Sequence, residues 1–180
     1  GFICTPDSHK EEIINFCVKN KKNILVEKPL LVNDYDKLLL LKRQINKNNI
    51  VLYSAYNHRF EPHIKSLKKI LDSKKMGKIY SCNLFYGNGT AKLVKDSKWR
   101  DKKSGVFGDL GPHLMDICCF LFGLNSIENV ELVTSKNYEN KAPDHIVVKN
   151  FKHTINIQLE MTYCMWKNDF SCDIICERGS

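Results

Sequence analysis

The run Asp109-Leu-Gly-Pro-His113 sets a carboxylate and an imidazole four residues apart, and Asp116 adds a second carboxylate three residues on. On a helix these positions share one face. The flanking Leu110, Leu114, Ile117 and Leu121 are apolar. Residues 108–122 therefore read as a buried helix, where ionisable groups are costly unless paired or used. A histidine tuned by a carboxylate is a general base near neutral pH. The same residues also fit a satisfied core histidine beside an Asp109 that caps the helix. Pro112 lacks an N–H, which does no harm in a first turn, and so places the pair at the helix start.

Two further clusters carry chemistry. Glu27-Lys28-Pro29 ends an apolar strand. Pro29 disfavours a helical Lys28, and strand ends line the ligand crevice of open α/β sheets. A lysine there reaches a substrate hydroxyl, and a neighbouring cation would depress its pKa; a plain surface lysine in a turn is the other reading. Tyr56-Asn57-His58-Arg59-Phe60 lies between a strand and a helix. It is either crevice-facing or a solvated turn with Asn57 as a cap.

The elements that must position these residues change character along the chain. Up to residue 57, strands at 2–4, 23–27 and 50–56 alternate with two helices. One opens at Ser8 with a Ser8–Glu11 capping box and an Ile13, Ile14, Cys17, Val18 stripe. The other is capped by Asn33, with Leu38, Leu41 and Ile45 inward. That alternation predicts parallel β-α units. Beyond it come a helix at 61–72, a strand at 78–86, a polar loop at 87–105 and the buried helix. Four strand-like runs follow, at 130–138, 144–150, 154–163 and 170–176. Ile155, Ile157, Leu159 and Met161 alternate with Asn156, Gln158, Glu160 and Thr162, the period of a half-exposed antiparallel strand. The expected fold class is α/β plus α+β.

Composition narrows the function classes. The 180 residues carry a net charge of +8, and 43% are hydrophobic, enough for one or two small cores. Of the basic residues 24 are Lys and only 4 are Arg. Runs such as Lys19-Asn20-Lys21-Lys22 suit solvated helix ends, and no nucleic-acid motif accompanies them. No apolar run approaches the roughly 20 residues of a membrane helix. Cys4, Cys17, Cys118 and Cys119 lie in apolar runs and read as reduced core residues. There is no C-x-x-C pair, and the six histidines lack ligand spacing, so no metal site is expected. Cys172 and Cys176 share a strand face but lie too far apart to bridge. A cytoplasmic location follows, with no nucleic-acid or membrane partner.

Taken in order, Thr5-Pro6-Asp7-Ser8-His9, Glu27-Lys28-Pro29, Asn57-His58-Arg59-Phe60, Trp99-Arg100 and Gly105-x3-Asp109-x3-His113-x2-Asp116 resemble the Gfo/Idh/MocA oxidoreductases. These are the group of glucose–fructose oxidoreductase and inositol dehydrogenase. The resemblance covers essentially the whole chain. It implies that residues 1–57 are the C-terminal portion of a Rossmann-like NAD(P)-binding domain. Residues 58–180 would be a truncated substrate domain with an open, mainly antiparallel sheet.

The resemblance also implies roles. Thr5, Pro6, His9, Glu27 and Lys28 would contact the cofactor, NAD or NADP. Lys28 would polarise the hydroxyl of a sugar, sugar nucleotide or cyclic polyol, and His113 would take its proton. Asp109 would bind substrate or steady the charge on His113, and Arg59, Trp99 and Arg100 would shape the pocket. A homo-oligomer, dimer or tetramer, is implied at full length. The alternative on the same fold is a non-catalytic nucleotide-binding regulator or scaffold; the intact Lys28, Asp109 and His113 set argues against it. The G-x-G-x-x-G turn and the residue that reads the ribose do not occur within these residues. The chain is thus expected to be cut at both ends, inactive alone, and silent on NAD versus NADP.

Overall fold

The computed structural model describes residues 1–30, 35–98, 100–150 and 154–180. They form two compact units, Gly1–Asn57 and His58–Ser180.

In the first unit β1 (Phe2–Ile3), α1 (Asp7–Lys19), β2 (Ile24–Val26), α2 (Tyr35–Lys47) and β3 (Leu52–Ser54) alternate. The strands form a parallel sheet in the order β1-β2-β3, with Ile3 beside Val26 and Val26 beside Ser54. Ile3, Ile24 and Val26 bury against Ile14, Cys17, Val18 and Leu41 of the helices. The expected capping box does not form. α1 begins at Asp7 behind Pro6, with no side-chain cap, because the fixed φ of proline already sets the helix boundary and leaves Ser8 inside the first turn. Asn33 lies outside the described residues. Leu41 carries the inward face of α2 with Ile45, whereas Leu38 in its first turn stays exposed. Cys4, just past the end of β1, is exposed rather than core.

The second unit opens with a 3₁₀ turn, Asn57–Phe60, whose first residue closes the preceding unit. Then follow α3 (Pro62–Asp72), β4 (Ile79–Gly87), α4 (Ala91–Val94), α5 (Val106–Phe122), β5 (Val130–Lys136), β6 (His145–Asn150), β7 (Asn156–Thr162) and β8 (Asp169–Cys176). The sheet is open and mixed, in the order β5-β6-β7-β4-β8. β7 runs antiparallel to β6 but parallel to β4, and the other pairs are antiparallel. Alternation on β7 turns Ile157, Leu159 and Met161 onto the face covered by α5, where Leu110, Leu114, Ile117 and Leu121 meet them in one core. Thr162 breaks the alternation. It is buried because its hydroxyl donates to the Asp144 carbonyl at 3.1 Å and accepts the Cys164 N–H at 3.1 Å.

Two expectations about α5 and its approach change. The supposed polar loop contains the single turn α4, which buries Ala91 and Val94. α5 starts at Val106, so Pro112 is interior to it and withholds the N–H that would have bonded the Gly108 carbonyl. Gly105 sets the start: its φ is +51°, and a Cβ there would sit 2.0 Å from the Pro143 carbonyl oxygen. That same oxygen accepts the Val106 N–H at 2.9 Å.

Candidate active site

In the first unit, three of the proposed cofactor contacts come together. Thr5, Pro6 and His9 line one shallow concavity of about 350 Å³ with Glu12, Ile13 and Phe16, where β1 ends and α1 begins. Thr5 Oγ1 is buried and has no hydrogen-bond partner among the described residues. Glu27 and Lys28 follow β2 directly, and Glu27 Oε2 accepts the Lys28 N–H at 3.0 Å. The Lys28–Pro29 peptide bond is cis. Beneath it lies a residue that the sequence did not single out. Lys10 is only 2% exposed, and its ammonium donates to the carbonyls of Lys28 at 3.3 Å and Pro29 at 3.2 Å. A buried ammonium is tolerated where oxygens replace its water.

In the second unit α5 presents Asp109, His113 and Asp116 as the spacing predicts, and both His113 and Asp116 are buried. Tyr163, itself buried, donates its phenol to Asp109 Oδ2 at 3.1 Å. Burial first, then the Asp109 charge and bond, push that phenol far above its ordinary value, so it remains a donor. Arg100 Nε lies 3.7 Å from the same carboxylate oxygen. Arg59 is turned onto Asp116, with Nε donating to Oδ2 at 2.7 Å and Nη2 donating to Oδ1. Trp99 lies outside the described residues.

Against His113 stand two rings: His58, which the sequence offered only as a member of the Tyr56–Phe60 cluster, and Tyr86. His58 meets it edge-on, with ring centroids 4.7 Å apart and planes at 78°. Tyr86 meets it at 6.3 Å and 71°, and His58 and Tyr86 also touch, at 5.6 Å. The signal for the tyrosines was strand phase. Cys82, Leu84 and Tyr86 share a face of β4, and Tyr163 is the next residue in phase with Ile157, Leu159 and Met161. The result is an imidazole walled by aromatic rings, on the same helix face as a carboxylate held by a phenol.

Comparison with known proteins decides the family. Residues 64–180 match the family model described as GFO/IDH/MocA C-terminal domain. The chain belongs to the Gfo/Idh/MocA family. It is similar to the glucose-6-phosphate 3-dehydrogenase of Bacillus subtilis (strain 168), at 25% identity over 93% of this chain and 51% of that protein. It is also similar to the myo-inositol 2-dehydrogenase of Thermotoga maritima, at 30% identity over 67% of this chain and 35% of that protein. The chain thus spans about half the length, or less, of these relatives.

Solved structures share the Gfo/Idh/MocA fold. GenD2 from gentamicin A biosynthesis, in complex with NAD, superposes with a TM-score of 0.84 at 20% identity over 99% of this chain and 52% of its own. A levoglucosan dehydrogenase complexed with NADH and levoglucosan gives 0.83 at 22% identity over 97% of this chain and 51% of its own. Among the described residues, no helix is long and apolar enough to cross a membrane. No cluster of His, Cys, Asp and Glu there could hold a metal ion.

Proposed function

We propose that the Gfo/Idh/MocA protein containing this chain is an NAD(P)-dependent dehydrogenase acting on a CH–OH group of a sugar, sugar nucleotide or cyclic polyol. The observation that carries the reading is the Asp109–His113 face of α5, with Tyr163 bonded to the carboxylate. Relatives named glucose-6-phosphate 3-dehydrogenase, myo-inositol 2-dehydrogenase and levoglucosan dehydrogenase support the substrate class.

The residues of the first unit fit one end of a nicotinamide dinucleotide. A concavity lined by Thr5, Pro6 and His9 stands where a strand ends and a helix begins, a setting suited to nucleotide ligands, and Thr5 Oγ1 is available there for a polar contact. When bound, the nicotinamide supplies a hydride acceptor. The chain's own residues do the rest. Lys28 binds and polarises the reacting hydroxyl, and His113 takes its proton. Asp109, oriented by the Tyr163 phenol, stabilises the imidazolium that results. Arg59 and Arg100 bound the pocket, Arg59 by holding Asp116 and Arg100 from beside Asp109. Glu27 flanks the nicotinamide end. The reading extends to a homo-oligomer, dimer or tetramer.

The test is nicotinamide absorbance with the full-length protein against sugars, sugar phosphates, sugar nucleotides and inositols. Turnover on one class names the substrate. Cofactor binding with no turnover across the panel overturns the carbohydrate assignment.

A further inference from the structure

His113 is 8% exposed, so a proton collected there needs a way out. Its neighbours can be sorted by what they could accept. On α5 itself Asp109 is bonded by the Tyr163 phenol, with Arg100 nearby, and Asp116 is bonded by the Arg59 guanidinium. From β4 comes Tyr86, whose phenol is pushed up by burial first and then by the Asp109 and Glu61 charges; it holds its proton near neutrality, as Tyr163 does. From the 3₁₀ turn comes His58, in ring contact with His113. An imidazole is the side chain that exchanges protons readily near pH 7.

His58 does not stand alone. Its Nδ1 lies 2.6 Å from Glu61 Oε1, and Glu61 Oε2 lies 3.0 Å from His63 Nε2. The side chains become steadily more open along this series: 18% exposed at His58, 35% at Glu61 and 64% at His63. A bonded series of titratable groups thus runs to solvent from His58, the ring that touches the buried imidazole. A carboxylate on one nitrogen of a histidine fixes its tautomer and leaves the other nitrogen for exchange.

We propose that His58, anchored by Glu61, is the positioning residue and proton-exchange partner of His113, and that the proton leaves through Glu61 toward His63. This rests on the general-base role of His113 proposed above. Each transfer breaks one N–H or O–H bond and makes another. His58 gains a proton on its free nitrogen and releases the one on Nδ1 to Glu61, and no electron changes owner.

The test needs no turnover. The side-chain resonances of His113 are followed by NMR against pH in this chain, with His58→Gln and Glu61→Gln beside the wild type. Amide spectra confirm that each variant is folded. The proposed exchange predicts that each substitution moves the His113 midpoint by at least about half a pH unit. A midpoint unmoved in a folded variant overturns the proposal. Should His58→Gln fail to fold, Glu61→Gln decides. A coupled titration alongside a dehydrogenase assay that stays silent would overturn the proposed activity and leave this pairing standing.

Discussion

The Tyr163 phenol, just past the end of β7, donates to Asp109 Oδ2 across 3.1 Å within the second unit. It joins the sheet's buried face to the α5 carboxylate one turn before His113. Removing the hydroxyl by Tyr163→Phe keeps the ring in the core and leaves the carboxylate short of a donor. The expected loss is about 1–3 kcal/mol, read as a lower urea midpoint at unchanged slope. An unaltered midpoint would mean that the bond adds nothing to stability.

Gly105 is the glycine of the Gly105-x3-Asp109-x3-His113 motif, and geometry explains it. With φ at +51° and Pro143 O 2.0 Å from where a Cβ would stand, Gly105→Ala combines backbone strain with a collision against backbone. We expect a loss of about 2–4 kcal/mol, measured by thermal unfolding. Gly123→Ala, with the same sign of φ (+66°) but nothing within 4 Å, costs about 1 kcal/mol.

Two ion pairs separate by burial. Arg59 and Asp116 have side chains 30% and 7% exposed, against 80% and 66% for Lys141 and Asp96. Arg59→Leu strands a buried carboxylate and costs about 2 kcal/mol or more. Lys141→Ala, in the solvent-screened pair, leaves the denaturation midpoint essentially unchanged. Chemical denaturation of the two variants side by side checks the ranking, and equal losses would contradict it.

Asp101 ties two segments, accepting the Ala142 N–H at 2.7 Å and the Asp96 N–H at 2.9 Å. The Ala142 bond chiefly holds its carboxyl below the ordinary 3.8. A folded-state pKa below the unfolded one adds stability that is present above pH 3.8 and is lost as pH falls through the depressed value. Asp101→Asn should therefore destabilise at neutral pH and flatten the fall in stability below pH 4, as followed by denaturation at stepped acid pH.

Much of the site was legible because it depends on short-range geometry. The i, i+4 spacing of Asp109 and His113 needs only a helix, and the alternation of Ile157, Leu159 and Met161 needs only a strand. What escaped depends on long-range pairing. Nothing local marks Lys10 as buried while Lys19 on the same helix is exposed; the difference is the Lys28 and Pro29 carbonyls reached over 18 residues or more. The parallel partnership of β4 with β7 spans some 75 residues and leaves no period in either strand. The ring contact of His58 with His113 depends on the same packing, so His58 read as one member of a turn motif. Pro112 misled because Gly105, through its approach to Pro143, starts α5 earlier than the apolar run suggests.

We propose above that His113 is the base in a dehydrogenase reaction. Steady-state turnover of the full-length protein on the sugars and polyols of the panel, comparing wild type with His113→Ala and Lys28→Ala, tests it. His113→Ala is expected to lower kcat by about 10²-fold or more while cofactor binding persists, and Lys28→Ala to abolish most turnover. Turnover near the wild-type rate in His113→Ala would contradict it.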